Sequence, residues 1–156
     1  MGMQPTELDF LLGLLRDIYE EKIPFNKILG FRIVSLTAEA IRARFEMQQE
    51  LLGNYVKGIL HGGVISSVLD ATGGLTASFG ILQQLAGAPM EEIESRISRI
   101  GTIDLRVDYL RPGRGRHFIS GGTIMRAGRR VTVTRMELHN DQDLLIAVGT
   151  GTYLVG

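Results

Sequence analysis

Between Thr6 and Glu21 the apolar residues Leu8, Leu11, Leu12, Leu15, Ile18 and Tyr19 recur every three or four positions, the period of a helix with one buried face. Pro5 stands where a helix start tolerates proline. Pro24 to Gly30 predicts one further short turn, closed by a glycine. From Phe31 the period drops to two. Phe31, Ile33 and Ser35 alternate with Arg32 and Val34, and Ile41, Ala43, Phe45 and Met47 alternate with Arg42, Arg44 and Glu46. That pattern predicts two strands with one wet face.

Residues 62–79 are apolar or small on all sides, which predicts a central helix buried around most of its circumference. Gly73 and Gly74 inside it each cost about 1 kcal/mol relative to alanine. They either end the helix or admit a close neighbour. Pro89 followed by Glu91, Glu92 and Glu94 opens a second short helix, whose stripe of Met90, Ile93, Ile97 and Ile100 either packs on the sheet or lines a ligand. Ile103, Leu105, Val107 and Tyr109 alternate with Asp104, Arg106 and Asp108 in a strand that Arg111-Pro112-Gly113 closes. Phe118 to Arg126, Val131 to His139 and Leu144 to Val155 predict three more strands. Ala127-Gly128-Arg129 and Asn140-Asp141-Gln142-Asp143 are the turns between them. The order is helix, two strands, central helix and a four-strand meander: one α+β domain over residues 1–156, with an N-terminal helical segment over 1–30.

Bulk properties narrow the function. The 156 residues fit one domain, and a formal net charge of +0 argues against a chain built to hold nucleic acid. With no cysteine, disulfides and thiolate metal sites drop out and the cytoplasm is the expected compartment. Met1 to Asp9 has neither a basic n-region nor an apolar h-region, so no signal peptide is expected, and no membrane-inserted segment is expected. Fourteen of the 17 basic residues are arginine, and eight of these fall between Gly101 and Arg135. Arginine's planar fork suits phosphate. Arg111, Arg114, Arg116, Arg129 and Arg130 are therefore candidate contacts to a phosphorylated small molecule.

The chemistry concentrates at His61-Gly62-Gly63 and Asp70. Two glycines at a helix start offer backbone N–H groups to a developing negative oxygen. A carboxylate inside Val64-Ile65-Ser66-Ser67-Val68-Leu69-Asp70-Ala71 is costly unless it is paired, hydrated or used. At about 1.5 Å rise per residue the two features lie roughly 12 Å apart along one helix, so Asp70 cannot touch a carbonyl held at its own helix start. Catalysis here would be shared with a second, antiparallel copy, as a two-fold dimer arranges automatically. His117 and His139 share no metal-ligand spacing, and no metal or cofactor is assigned.

Asn54, His61-Gly62-Gly63-Val64-Ile65, Asp70, Gly101-Thr102-Ile103-Asp104-Leu105 and Tyr109-Leu110-Arg111-Pro112 agree in order and spacing with a known family. The chain resembles the hotdog-fold acyl-CoA thioesterases of the PaaI-like group, and is most similar to their YigI-type branch. The likeness runs from about Pro24 to the C-terminus and takes in Leu29-Gly30, Glu137-Leu138-His139-Asn140 and Tyr153.

The resemblance implies a curved antiparallel sheet wrapped around the central helix. It also implies a homodimer with sites at the subunit interface, a dimer of dimers as a further assembly, and hydrolysis of medium- to long-chain acyl-CoA to free acid and CoA. Carried over residue by residue, Asp70 matches the catalytic carboxylate, acting as base or nucleophile. Gly62 and Gly63 match the amides that polarise the thioester carbonyl, and His61 the histidine before them. Asn54 matches the polar residue beside carbonyl and water, and Thr102 the hydroxyl residue that holds the water. One subunit would supply Gly62, Gly63 and Asn54, the other Asp70 and Thr102. Two alternatives stand beside this reading: a hotdog acyl-thioester hydratase or dehydratase, whose His-Phe-Pro motif is absent here, and a non-catalytic acyl-CoA-binding protein.

Overall fold

Helix α3 (Gly62–Gln84) is the axis on which the rest of the chain is laid, in a computed structural model that describes residues 5–156. The first four residues of the predicted N-terminal segment lie outside the described residues. Around α3 wraps a six-stranded antiparallel sheet in the order β1-β2-β6-β7-β8-β5. Its strands are β1 (Arg32–Leu36), β2 (Ile41–Glu46), β5 (Gly101–Tyr109), β6 (His117–Ala127), β7 (Val131–Asn140) and β8 (Leu145–Leu154). A small hairpin of β3 (Leu52–Asn54) and β4 (Ile59–Leu60) leads into α3. This is the α+β arrangement of a hotdog fold, with helix α1 (Pro5–Asp17) and helix α2 (Pro24–Leu29) added in front.

The inner face of the sheet reads as the two-residue period predicts: Ile41, Ala43 and Phe45 on β2, Phe118 and Ser120 on β6, and Met136 and Leu138 on β7 are all buried. Phe45 and Phe118 stack across β2 and β6 with ring centroids 5.1 Å apart, a favoured aromatic geometry. Three hydroxyls on the inner layer are satisfied within it. Thr72 bonds Ser120 at 2.6 Å, and Thr134 donates to the Met136 sulfur at 3.0 Å.

Helix α3 outruns its predicted end at residue 79, because Ile81 and Leu82 beyond it are also buried. Over 18 of its residues the mean hydropathy is 1.3, enough on composition alone for a membrane span, yet 72% of that window is buried inside the protein. It is the core helix of the sheet. Gly73 and Gly74 do not end it. A Cβ at Gly73 would overlap the Tyr153 hydroxyl, and one at Gly74 would come within 3.2 Å of the Tyr19 hydroxyl. The glycines are the floor of two tyrosine slots.

Helix α1 buries Leu11 and Leu15 and passes into a π-helical turn, Ile18–Lys22, that carries the buried Tyr19. Gly30 closes α2 in the left-handed conformation, φ 71°. In helix α4 (Met90–Ser98) Ile93 and Ile97 of the apolar stripe are buried in the packing, while Ile100 beyond its end is half-buried.

Strand β5 departs from the predicted alternation. It is an edge strand, paired only with β8, and Ile103 and Tyr109 are exposed while Leu105 and Val107 are half-buried. At Ile103 the cause is a bulge: Thr102 pairs with Tyr153 and Asp104 with Thr152, leaving Ile103 as the extra residue. Strict alternation would turn Ile103 inward and Thr102 outward. The bulge re-aims Thr102 to the inner face.

The glycine slots give a paired test. Gly13 in the exposed interior of α1 has no neighbour within 4 Å of an added Cβ, so Gly13→Ala is expected to raise stability by about 0.5–1 kcal/mol. Gly73→Ala overpacks the Tyr153 slot and is expected to lower it by about 1–3 kcal/mol. Urea unfolding midpoints report both signs.

Candidate active site

Asp70 is half-buried on the flank of α3, and two hydroxyls converge on one of its oxygens. Thr102 Oγ1 donates to Asp70 Oδ1 at 2.9 Å, and Tyr153 Oη donates to the same Oδ1 at 3.1 Å, sharing its proton with the Asp70 carbonyl at 3.1 Å. Thr102 is there because of the β5 bulge. Tyr153 is there because Gly73 on α3 and Gly151 on β8 leave room for its ring. The carboxylate opens into a cavity of about 290 Å³ lined by Tyr19, Ile23, Phe25, Ala71 and Ile100 among others.

Two buried phenols flank this carboxylate. Burial first, and then the negative charge of Asp70 and the hydrogen bond to it, push Tyr153 far above the usual phenol range. Burial, together with the charge of Asp70 and against a hydrogen bond with Ser78, pushes Tyr19 up from 10.0 to about 12. Both hydroxyls therefore stay protonated, and Tyr153 remains a donor to Asp70, at any pH near neutrality.

The other predicted half of the site lies at the start of α3. His61 is the N-cap, and its Nδ1 accepts the Gly63 N–H at 2.8 Å. That bond places the ring proton of neutral His61 on Nε2. It also corrects the expectation of two available amides. The Gly63 N–H is engaged by its own cap, and the Gly62 N–H is the one left at the helix start, with no partner among the described residues. Tyr109 donates its hydroxyl to the Gly62 carbonyl at 3.0 Å. Asn54 stands at the end of β3, where its Oδ1 accepts the Lys57 N–H at 3.0 Å and holds the hairpin turn. The hairpin is pressed against the cap: a Cβ at Gly53 would come within 2.6 Å of the His61 Cα, and the His61 N–H donates to the Leu51 carbonyl at 2.9 Å.

The structure thus gathers Asp70 with Thr102, and His61 with Gly62, Gly63 and the Asn54 hairpin, but leaves the two groups at separate positions along α3. Nor do the five arginines form one patch. Arg111, Arg114 and Arg116 precede β6, while Arg129 and Arg130 follow it, roughly 33 Å away at about 3.3 Å per strand residue. Arg116 is tied to Asp141 at 3.0 Å, and this hydrogen bond holds the Asp141 carboxyl below the usual carboxylate range. Arg111 donates to the Leu145 carbonyl at 2.9 Å. Among the described residues no group of three His, Asp or Glu side chains stands close enough to hold a metal ion.

Tyr153 and Tyr109 are the contacts that reading the sequence for acids, histidines and glycines misses. The available signal was Gly151 on β8 and Gly73 on the helix, small residues that face the Tyr153 ring.

A family model described as the thioesterase superfamily matches residues 57–147. The medium/long-chain acyl-CoA thioesterase YigI of Escherichia coli K12 is 43% identical over 145 residues, covering 93% of this chain and 94% of that protein. A crystal structure from Shewanella oneidensis, related to the thioesterase superfamily, superposes with a TM-score of 0.92 at 44% identity, covering 98% of this chain and 99% of that one. Another, from Syntrophus aciditrophicus, gives a TM-score of 0.86 at 46% identity over 97% and 99% of the two chains.

The raised phenols carry a pH signature. A folded-state value above the unfolded one means that the unfolded chain gives up its proton first. The Tyr19 contribution is therefore fully present below pH 10.0 and is lost as pH rises towards about 12. Urea midpoints compared at about pH 9 and about pH 11 should fall further in the wild type than in Tyr19→Phe. Equal falls in the two proteins would contradict the assignment.

Proposed function

Since this chain belongs to the thioesterase superfamily, we propose that it is an acyl-CoA thioesterase that releases free acid and CoA from medium- to long-chain acyl-CoA. The observation that carries the reading is Asp70: an oriented carboxylate beside a cavity whose lining includes Ile23, Phe25 and Ile100, on the same helix whose first turn offers the Gly62 amide. Water is a poor nucleophile at neutral pH. Asp70 either takes its proton or attacks the thioester carbonyl directly, and both routes need the carboxylate ionised and held in place. The carbonyl oxygen gains negative charge in the tetrahedral intermediate. A fixed N–H at that oxygen is typically worth about 2.7–4 kcal/mol of barrier.

The Gly62 amide and Asp70 of one chain lie about 12 Å apart, so a second copy completes the site. Three features support a two-fold pair. The half of α3 that bears Gly63, Ser66, Ser67, Asp70 and Ala71 is left partly uncovered by its own sheet. Among the described residues the outer edge of β5 lacks a strand partner, and proteins seldom leave such an edge open. Exposed Ile103 and Tyr109 lie on that same edge strand. Opposed helices bring the Asp70, Thr102 and Tyr153 of one chain to the Gly62 of its mate.

The arginines fit the same geometry. Arg130 accepts the Val155 N–H two residues past Tyr153, at the Asp70 end of the sheet, while Gly113 between Arg111 and Arg114 accepts the Leu60 N–H at the Gly62 end. A two-fold pair brings these two sets towards one CoA. Ile23, Phe25 and Ile100 around Asp70 form the mouth for the acyl chain.

Thiol release from an acyl-CoA chain-length series, followed with a thiol-reactive chromophore, tests the reading. The wild type is expected to release thiol from medium and long chains. Asp70→Asn is expected to lose about 10²- to 10⁴-fold in kcat with its fold retained. An Asp70→Asn protein that turns over like the wild type would remove the carboxylate from the mechanism. Product formed without free thiol would favour a hydratase.

A further inference from the structure

Asp70 has two oxygens, and the chain treats them differently. Oδ1 receives both hydroxyls, from Thr102 at 2.9 Å and Tyr153 at 3.1 Å. Among the described residues no donor reaches Oδ2, yet Oδ2 is not a buried unsatisfied atom, so it opens on the cavity. We propose that Tyr153 is a positioning residue that, together with Thr102, pins Oδ1 and so makes Oδ2 the single oxygen that meets the substrate. This deepens the thioesterase reading and rests on it.

The argument is geometric. The terminal torsion of an aspartate is broad, so without fixed donors the plane of its carboxylate swings and neither oxygen is held towards a substrate. Two hydroxyls on one oxygen hold that plane and aim the other oxygen at the cavity, and charge-assisted bonds of this kind are among the stronger ones. Tyr153 is itself fixed. It is buried on β8, and its ring lies where a Cβ at Gly73 would overlap its hydroxyl and a Cβ at Gly151 would come within 2.6 Å of it. Its hydroxyl also reaches the Asp70 carbonyl, so the phenol locates the residue's backbone and side chain together. The slot has a cost, two glycines in regular elements, which packing alone could avoid with a larger residue on the helix and a smaller one on the strand. Its hydroxyl also stays a donor across the working range, since burial and the neighbouring carboxylate both oppose its ionisation.

Tyr153→Phe keeps the ring in its slot and removes only the hydroxyl. Its kcat is expected to fall about 10- to 100-fold, the worth of one hydrogen bond to a charged group. Its KM for a long-chain acyl-CoA should stay within about twofold, since the lost bond orients the carboxylate and does not bind the substrate. Gly151→Ala keeps the hydroxyl but crowds it from behind, and should lower kcat in the same way with KM held. Thermal unfolding and gel filtration check that both variants fold and assemble. A folded Tyr153→Phe protein with wild-type kcat, beside an inactive Asp70→Asn protein, would overturn this assignment while leaving the thioesterase reading intact. A wild-type protein that releases no thiol would overturn both.

Discussion

The spacing of eight residues between Gly62 and Asp70 is the constraint on which the functional architecture depends. On a continuous helix that spacing is a rigid rod of about 12 Å, and α3 is continuous through both residues. No side-chain rotation can bring the acid to an amide at the start of its own helix. The partly uncovered face of α3 and the open edge of β5 are the surfaces on which the proposed second copy would resolve the difficulty, and both lie beside the two half-sites.

Packing and chemistry meet at the same atoms. Tyr153 is a core residue, fully enclosed, and also a donor to the one carboxylate on the helix. Gly73 and Gly151 look like weak points in a helix and a strand, but they make the space that this ring occupies. The bulge at Ile103 is likewise a local break in the ladder, and it delivers Thr102 to the carboxylate. Departures from regularity near a site are where such devices are expected. Here each one ends in a hydrogen bond to Asp70 Oδ1.

Much of this was legible in the chain. The two-residue period predicted every strand of the main sheet and the 3.6-residue period predicted α1, because those elements bury one face against one core. Helix α3 was legible in its all-round apolarity, α4 in Pro89 and its early acids, and α2 only as a short turn. Asp70 stood out because an ionised group on an apolar helix has few structural uses. What stayed hidden was whatever depends on distant partners. Tyr153 and Asp70 are 83 residues apart, and Gly151 on β8 marks a slot for the tyrosine ring without marking the acid it reaches. The bulge was invisible because alternation on β5 is intact in the letters and broken only in the pairing with β8. Amide availability misled for another reason. Two glycines predict two N–H groups, but the imidazole before them caps one. The arginines looked like one cluster in sequence because β6 returns the chain to the far end of the sheet within eleven residues.

The shared site is open to a direct measurement by complementation. Asp70→Asn removes the acid, and Gly62→Pro removes the amide proton at the first helical position, where proline is tolerated and the extended His61 before it, ψ 135°, accepts a following proline. Each variant alone should be inactive. Mixed by co-expression in equal amounts, half of the dimers are hybrids with one intact site each, so thiol release should recover to about a quarter of the wild-type rate. A mixture no more active than its two components would mean that each chain builds its site alone.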